Sequence, residues 1–561
     1  MDLTKSSYDF HSGLEPPLRF FRREWKAIAV FGGGFCVVML AGVIWLDPAF
    51  YYPRLQTDPL LYYLKARSLV ETGSTAARMA VNAPPFPYAA MPGVLRAPIL
   101  LFFADFDDQW RAIQVLNIPI VASVALMSAY IVSWSVPARR HWMAIAFAFA
   151  FILLSPMWIT NVYSPLADAP YAAFSLLSVL IGIHVICKSS FRKSPVAVAL
   201  FCVLFIVVFL LRFTGPVLLV FVAALASGRW RRRDLSPRVR RALILIPSAA
   251  LVLLVLLNFQ AIFGRYLHEP LMFARRAGKM GMFLNLFGVA LPDQIVPDFH
   301  LALSQPPVVD IFRGEFGAST ADMLWTVLGL MLSATLVLGL WRSRSRMLPE
   351  VLYVLAPLPI LAVMMPSTSR YLMSYQAFFW VFFYEGASEI GRRVGPVISI
   401  PTRSRIIIAV STVVVIATVG ALRWYRVAGT GADRSYAISM NKAPAYVNGV
   451  STTFRSLRNY LQTLPKEKTL LIGSPNTIGR WKIIADRSYY IPDSALTSVA
   501  ARKEVYLVVE CGTLEYCLSF SELKSHLQDR LCNFGEFSYE AVFESRSKWA
   551  RAEVFRIRPA S

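Results

Sequence analysis

A nearly uncharged apolar run of about twenty residues recurs along most of this 561-residue chain, and no other feature limits its fold so strongly. One such run, as a helix, covers the hydrocarbon core of a bilayer. The runs fall at about 27–46, 113–134, 143–160, 166–187, 195–211, 213–227, 242–262, 322–341, 348–365, 371–390 and 405–422. The expected fold class is therefore a polytopic α-helical membrane protein with about eleven transmembrane helices. Composition agrees, with 56% hydrophobic and only 16% charged residues, against roughly 25% charged in soluble domains. An ordinary soluble protein and a disordered chain are both excluded, and six cysteines are too few for a small disulfide scaffold.

The direction of the spans follows from charge. Ala27 to Leu46 is preceded by Arg19, Arg22, Arg23 and Lys26 and followed by Asp47-Pro48-Ala49 rather than a cleavage site, so it reads as a retained span with residues 1–26 cytoplasmic. Alternating the spans from there places Arg139 and Arg140, Lys188 to Lys193, Arg229 to Arg241, Arg342 to Arg346 and Arg392 to Arg405 all on the cytoplasmic side. The short outer links 161–165 and 366–369 hold no Lys or Arg. This is the positive-inside pattern, and it accounts for most of a net charge of +23 that in a soluble protein would suggest nucleic acid. No nucleic-acid partner is expected.

The expected organisation is a transmembrane domain over 27–425 with long outer loops at 47–112 and 263–321, then an extracytoplasmic α/β domain over 430–561. In the first loop, Leu60, Leu61, Leu64 and Leu69 predict a helix from Asp58 to Thr72 ended by Gly73, and Pro92 to Phe103 a second short one. In the second, Arg265, Arg275, Arg276 and Lys279 among Phe273, Met280 and Phe283 suit a helix in the outer interface. Thr469 to Gly473, Glu504 to Val509 and Ala552 to Ile557 read as strands, and Ser519 to Leu527 as a capped helix. Cys511, Cys517 and Cys532 would permit one disulfide of undetermined pairing in this domain. Asp105, Asp107 and Asp108 read as solvated loop, and Trp158, Tyr163 and Tyr171 as members of an interfacial aromatic belt.

No P-loop, dinucleotide fingerprint, HExxH or GxSxG element is present. No inside loop is large enough for a nucleotide-using domain, so chemistry belongs at the outer face. The informative segment is Asp58 to Gly73, DPLLYYLKARSLVETG. Asp58, Tyr62, Lys65, Ala66 and Leu69 recur at helical spacing, which puts a carboxylate, a phenol and a cation on one face just beyond the first span. An Asp before Pro59 is also an ordinary helix-start signal.

This segment resembles the first outer loop of the membrane-embedded GT-C glycosyltransferases, the group of protein O-mannosyltransferases and lipid A aminoarabinose transferases. Their Asp-Glu-x-x-Tyr-x-x-x-Ala pattern is matched by Asp58, Tyr62 and Ala66, with Pro59 in place of the second acid. The segment Tyr88 to Pro98 resembles the family's Pro-rich stretch, and Ala112 to Asn117 the start of its second span, with Gln114 where an Arg is frequent. Asp168 in SPLADAPYAAF, Arg212 in LLRFTGP and Ser369-Arg370-Tyr371-Leu372 fall at further matching places. The ordered set covers most of residues 20–425.

The resemblance implies transfer of a sugar from a polyprenyl-phosphate donor to a lipid, glycan or protein acceptor at the extracytoplasmic face, with inversion. Asp58 is then the expected base and Asp168 an assisting or positioning acid. Arg370 and Arg212 are the expected donor-phosphate ligands, and Tyr62, Lys65 and Tyr371 position the substrates. No metal and no cofactor are expected, the lipid-linked sugar being a co-substrate. The expected location is a bacterial inner membrane. A flippase of lipid-linked glycans is the rival from another class, although its usual midplane charges are nearly absent. A glycan polymerase or ligase is a third reading.

Overall fold

The computed structural model describes residues 13–45, 57–74, 91–163, 166–186, 195–212, 217–230, 278–297, 318–363, 368–394, 443–472, 496–511, 537–547 and 550–559, with Phe10, Arg275, Ile484 and Ala485. In chain order the helices are α1 Pro17–Arg23, α2 Trp25–Trp45, α3 Thr57–Thr72, α4 Met91–Val94, α5 Ala97–Phe102, α6 Phe106–Ser133, α7 His141–Leu154 and α8 Pro156–Tyr163. There follow α9 Asp168–Ile186, α10 Pro195–Leu211, α11 Val217–Trp230, α12 Ala318–Ser343, α13 Leu348–Leu355, α14 Leu358–Val363, α15 Thr368–Leu372, α16 Gln376–Val394, α17 Ala443–Thr463 and α18 Leu496–Ala500.

Among the described residues, three helices are long and apolar enough to cross a membrane: α2, α6 and the stretch Thr326–Ser343 of α12. They make this a membrane protein. The expectation of about eleven spans is met only in part. The runs at 242–262 and 405–422 lie outside the described residues, and two others are broken by proline. Pro156 opens α8 directly after α7, and Pro357, which has no N–H to continue α13, separates it from α14.

The described residues form two compact units that do not follow chain order. The first comprises Met1–Met39, Asn117–Val162 and Ala167–Arg426. Within it α12 and α16 cross in backbone contact. A Cβ placed on Gly339 would collide with the carbonyl of Phe382, and one on Gly386 with the carbonyl of Thr335. Small residues let membrane helices approach this closely. Gly386→Leu is therefore expected to cost more than the about 1–3 kcal/mol typical of overpacking, seen as loss of monodisperse protein in detergent. Gly391→Leu, with nothing within 4 Å of its Cβ position, is the tolerated control.

Part of the second expected outer loop belongs to this core. The π-helix Leu284–Ala290 carries no charge, and the carbonyl of Phe287 accepts a 2.5 Å bond from Ser333 near the middle of α12. This apolar segment packs inward, whereas Arg275, Lys279, Met280 and Phe283 of the expected interfacial stretch before it are exposed. Arg265 and Arg276 lie outside the described residues. Trp158 also leaves the expected interfacial belt: its ring is 1% exposed and its Nε1 donates to Gln376 at 2.6 Å.

The second unit comprises Leu40–Leu116, Tyr163–Leu166 and Val427–Ser561. Its sheet has the order β1-β2-β4-β3, from β1 Thr469–Ile472, β2 Glu504–Cys511, β3 Phe537–Arg546 and β4 Arg551–Pro559. β1 and β2 are parallel and the other pairs antiparallel. Alternation sends Leu470, Ile472, Val505, Leu507 and Ile557 to one face. The other face gathers Leu471, Tyr506, Val508 and Val554 with Phe454, Leu457 and Leu461 of α17. That core continues into Tyr63, Leu64, Phe106 and Trp110, so the first-loop helix and the sheet share one apolar interior.

The acidic cluster of the first loop is not merely solvated. Arg458 of α17 donates to Asp105 at 2.6 Å and to Asp107 at 2.9 Å. Burial pushes the Asp105 carboxyl up, but the Asp107 amide and Arg458 outweigh it and hold the group below its usual range. The expected strands coincide with β1, β2 and β4. The helix expected at Ser519 to Leu527, with Cys517 and Cys532, lies outside the described residues.

Candidate functional site

In the first unit, three of the expected residues meet around one carboxylate. Asp168 opens α9, where a helix N-terminus favours negative charge. Its side chain is 1% exposed, and a carboxylate buried so deeply requires cations. Two are supplied. Arg212, directly after α10, donates Nη2 to Asp168 Oδ1, and Arg370 of α15 donates Nε to Oδ2 at 2.6 Å. Arg212 sits at a helix C-terminus, the end that favours positive charge.

An aromatic shell fixes the cluster. The Arg212 guanidinium lies 4.5 Å from the Tyr371 ring centroid and 5.7 Å from that of Tyr171. Behind them Tyr171 and Tyr375 join hydroxyl to hydroxyl at 3.4 Å, and the Tyr353 ring stands 4.9 Å from that of Tyr375. Tyr171, expected at the interface, is instead fully buried here. The cations differ in access: the Arg212 side chain is 5% exposed and that of Arg370 26%.

The second unit holds the other expected residues on α3, Thr57–Thr72. The helix stops where Gly73 takes φ +70°, the left-handed conformation of a C-terminal cap. Asp58 falls in the first turn by backbone position, and its side chain lies outside the described residues. Tyr62 and Lys65 are both buried. Desolvation pushes the Lys65 ammonium down to about 8.

Sequence reasoning gave no role to the residues that hold α3 in place. Arg96 is buried, lies 5.4 Å over the Tyr62 ring and donates to the carbonyls of Pro92 and Leu166 at 2.6 and 2.8 Å. Gly93 brings α4 against α3 so closely that its Cβ would stand 2.8 Å from that of Lys65. Gln114 does not carry the charge frequent at its place and instead donates to the Tyr163 carbonyl at 2.9 Å. The Pro-Gly-x-x-Arg spacing was the available signal, since it sets a glycine and a cation one helical turn apart.

No protein-family profile and no curated protein matches the chain. Solved structures do. ArnT from Cupriavidus metallidurans in the apo state is similar at 14% identity and a TM-score of 0.47, over 93% of this chain and 98% of that one. The same protein bound to undecaprenyl phosphate gives 14% and 0.46 over the same shares. The Archaeoglobus fulgidus oligosaccharyltransferase in its apo form gives 11% and 0.43, over 87% of this chain and 70% of that one. At such low identities and scores these are likenesses of form, and a functional role has to come from the residues.

Proposed function

We propose that the protein is a GT-C type glycosyltransferase that moves a sugar from a polyprenyl-phosphate donor to an acceptor at the extracytoplasmic face. The observation that carries this reading is the buried Asp168–Arg212–Arg370 cluster in a membrane protein, in which one carboxylate fixes two guanidiniums and the Arg370 side chain is 26% exposed. A lipid-linked sugar phosphate is an anion delivered from the bilayer, and a fixed guanidinium meets its oxygens with directed, charge-assisted bonds.

In this mechanism Asp58 accepts the proton of the acceptor hydroxyl as its oxygen attacks the anomeric carbon. The carbon–oxygen bond to phosphate breaks, inverting the centre, and polyprenyl phosphate leaves with the bonding electron pair. Arg370 and Arg212 stabilise the charge that grows on the leaving phosphate. Asp168, with both oxygens bonded to guanidiniums, positions them. Tyr371 holds Arg212, and Tyr62 and Lys65 are the further substrate-positioning residues.

Lys65 gives a pH prediction. With its ammonium near 8, transfer should fall as pH rises through that value, and Lys65→Arg should hold activity to higher pH because a guanidinium stays charged. The fall would not be unfolding caused by this group. The unfolded chain, with a Lys pKa of about 10.4, binds more protons than the folded one above pH 8, so Lys65 adds stability as pH rises there. Steady-state rates of both proteins from pH 7 to 9.5 check this.

The reading is tested on the purified chain in vesicles holding a radiolabelled polyprenyl-phosphate sugar. Label passing to an acceptor supports it. Label crossing the membrane on its lipid without transfer supports the flippase instead.

A further inference from the structure

A second feature of the first unit shares no residue with the Asp168 cluster. A groove of about 380 Å³ opens among α12, α13, α16 and the π-helix, walled by Phe287, Leu336, Leu340, Leu348, Val351 and Phe379. Among the described residues, Arg344 is the one charged side chain that lines it. The residue lies in the turn from α12 to α13. Its guanidinium covers the Trp341 ring at 3.3 Å from the centroid and donates to the Trp341 carbonyl at 2.8 Å. These contacts fix the cation at one end of the groove, beside an exposed Trp of the kind that marks a membrane–water boundary.

Its neighbours each have a carboxylate partner, which for Arg342 is shared with Arg392 and Arg393, whereas Arg344 has none among the described residues. Arg342 stands 3.6 Å from Glu389, and Arg346 2.7 Å from Glu385. Among the described residues no carboxylate pairs with Arg344. An apolar slot at the end of a membrane-crossing helix, closed by an uncompensated cation, is complementary to one class of molecule. A lipid chain fills the slot, and a phosphate meets the guanidinium. With no carboxylate among the described residues beside Arg344 to hold a headgroup's own cation, net anionic lipids are selected over zwitterionic ones.

We infer that this groove binds one anionic phospholipid, with an acyl chain between α12, α13 and α16 and its phosphate on Arg344. The site is separate from sugar transfer and stands or falls on binding alone.

The test is native mass spectrometry of the full chain in detergent, titrated with dioleoyl phosphatidylglycerol, dioleoyl phosphatidylcholine or inorganic phosphate. We expect one phosphatidylglycerol to be retained about tenfold more tightly than phosphatidylcholine, a preference that Arg344→Gln removes. Arg342→Gln should leave it unchanged, and Leu340→Trp, which fills the groove, should expel the lipid with Arg344 intact. Equal retention of the two lipids by the unaltered protein overturns the inference, whatever the variants do. So does unchanged phosphatidylglycerol binding in Arg344→Gln or in Leu340→Trp. Displacement of the lipid by inorganic phosphate at similar concentration would reduce the site to a plain anion contact and overturn the acyl-chain assignment.

Discussion

Replacing Asp58 with Asn lowers sugar transfer by about 10²–10⁴-fold, the usual contribution of a positioned general base, with little change in KM. The loss falls on turnover because Asn keeps the size and polarity of the side chain and removes only its capacity to take the acceptor's proton. The helix Thr57–Thr72 should persist, because Asn serves a helix start about as well as Asp. Circular dichroism and gel filtration would show a folded protein, and single-turnover assays would place the defect in the chemical step. Full transfer by Asp58→Asn removes Asp58 from the mechanism.

The second large effect is structural. Asp168→Ala leaves Arg212, 5% exposed, and Arg370 facing one another with no carboxylate between them. Stranding a buried charge costs about 3–5 kcal/mol, far more than an exposed ion pair is worth. Thermal unfolding in detergent should show it as a large drop in Tm. Adding Arg212→Met, which removes the deeper cation and keeps an apolar side chain against Tyr171 and Tyr371, should recover much of that loss. Transfer should stay absent in the double variant, because one of the two phosphate ligands has gone. A single Asp168→Ala protein with unchanged Tm would contradict the buried ion cluster.

Local signals in the sequence survived well. Asp58-Pro59 near the start and Gly73 at the end bound α3 within one residue, and strands β1, β2 and β4 announce themselves as short runs of Leu, Val, Ile and Phe. β3, Phe537–Arg546, was missed because Ser, Glu and Arg interrupt it. It is an edge strand with much of its surface exposed, where burial imposes little apolar pattern.

Pairings distant in sequence were illegible for a different reason. Nothing local to Arg458 points to Asp105 and Asp107 more than 350 residues earlier, and Gly339 and Gly386 look like ordinary helix glycines until their helices are seen to cross. Of the candidate site, the charged members Asp168, Arg212 and Arg370 were nameable one by one. Their mutual contact, and the burial of Tyr171 and Tyr375 behind them, depends on how α9, α10 and α15 pack, which no single segment encodes.

The central claim is that the guanidiniums held by Asp168 receive the phosphate of a polyprenyl-linked donor. Its most direct measurement is the binding of polyprenyl phosphate, the leaving lipid, to the purified chain in vesicles, unaltered and as Arg370→Gln. Losing a charge-assisted contact worth about 1.5–3 kcal/mol predicts affinity weaker by about 10–150-fold, with the fold intact. Equal affinity of the two proteins for polyprenyl phosphate would contradict the account.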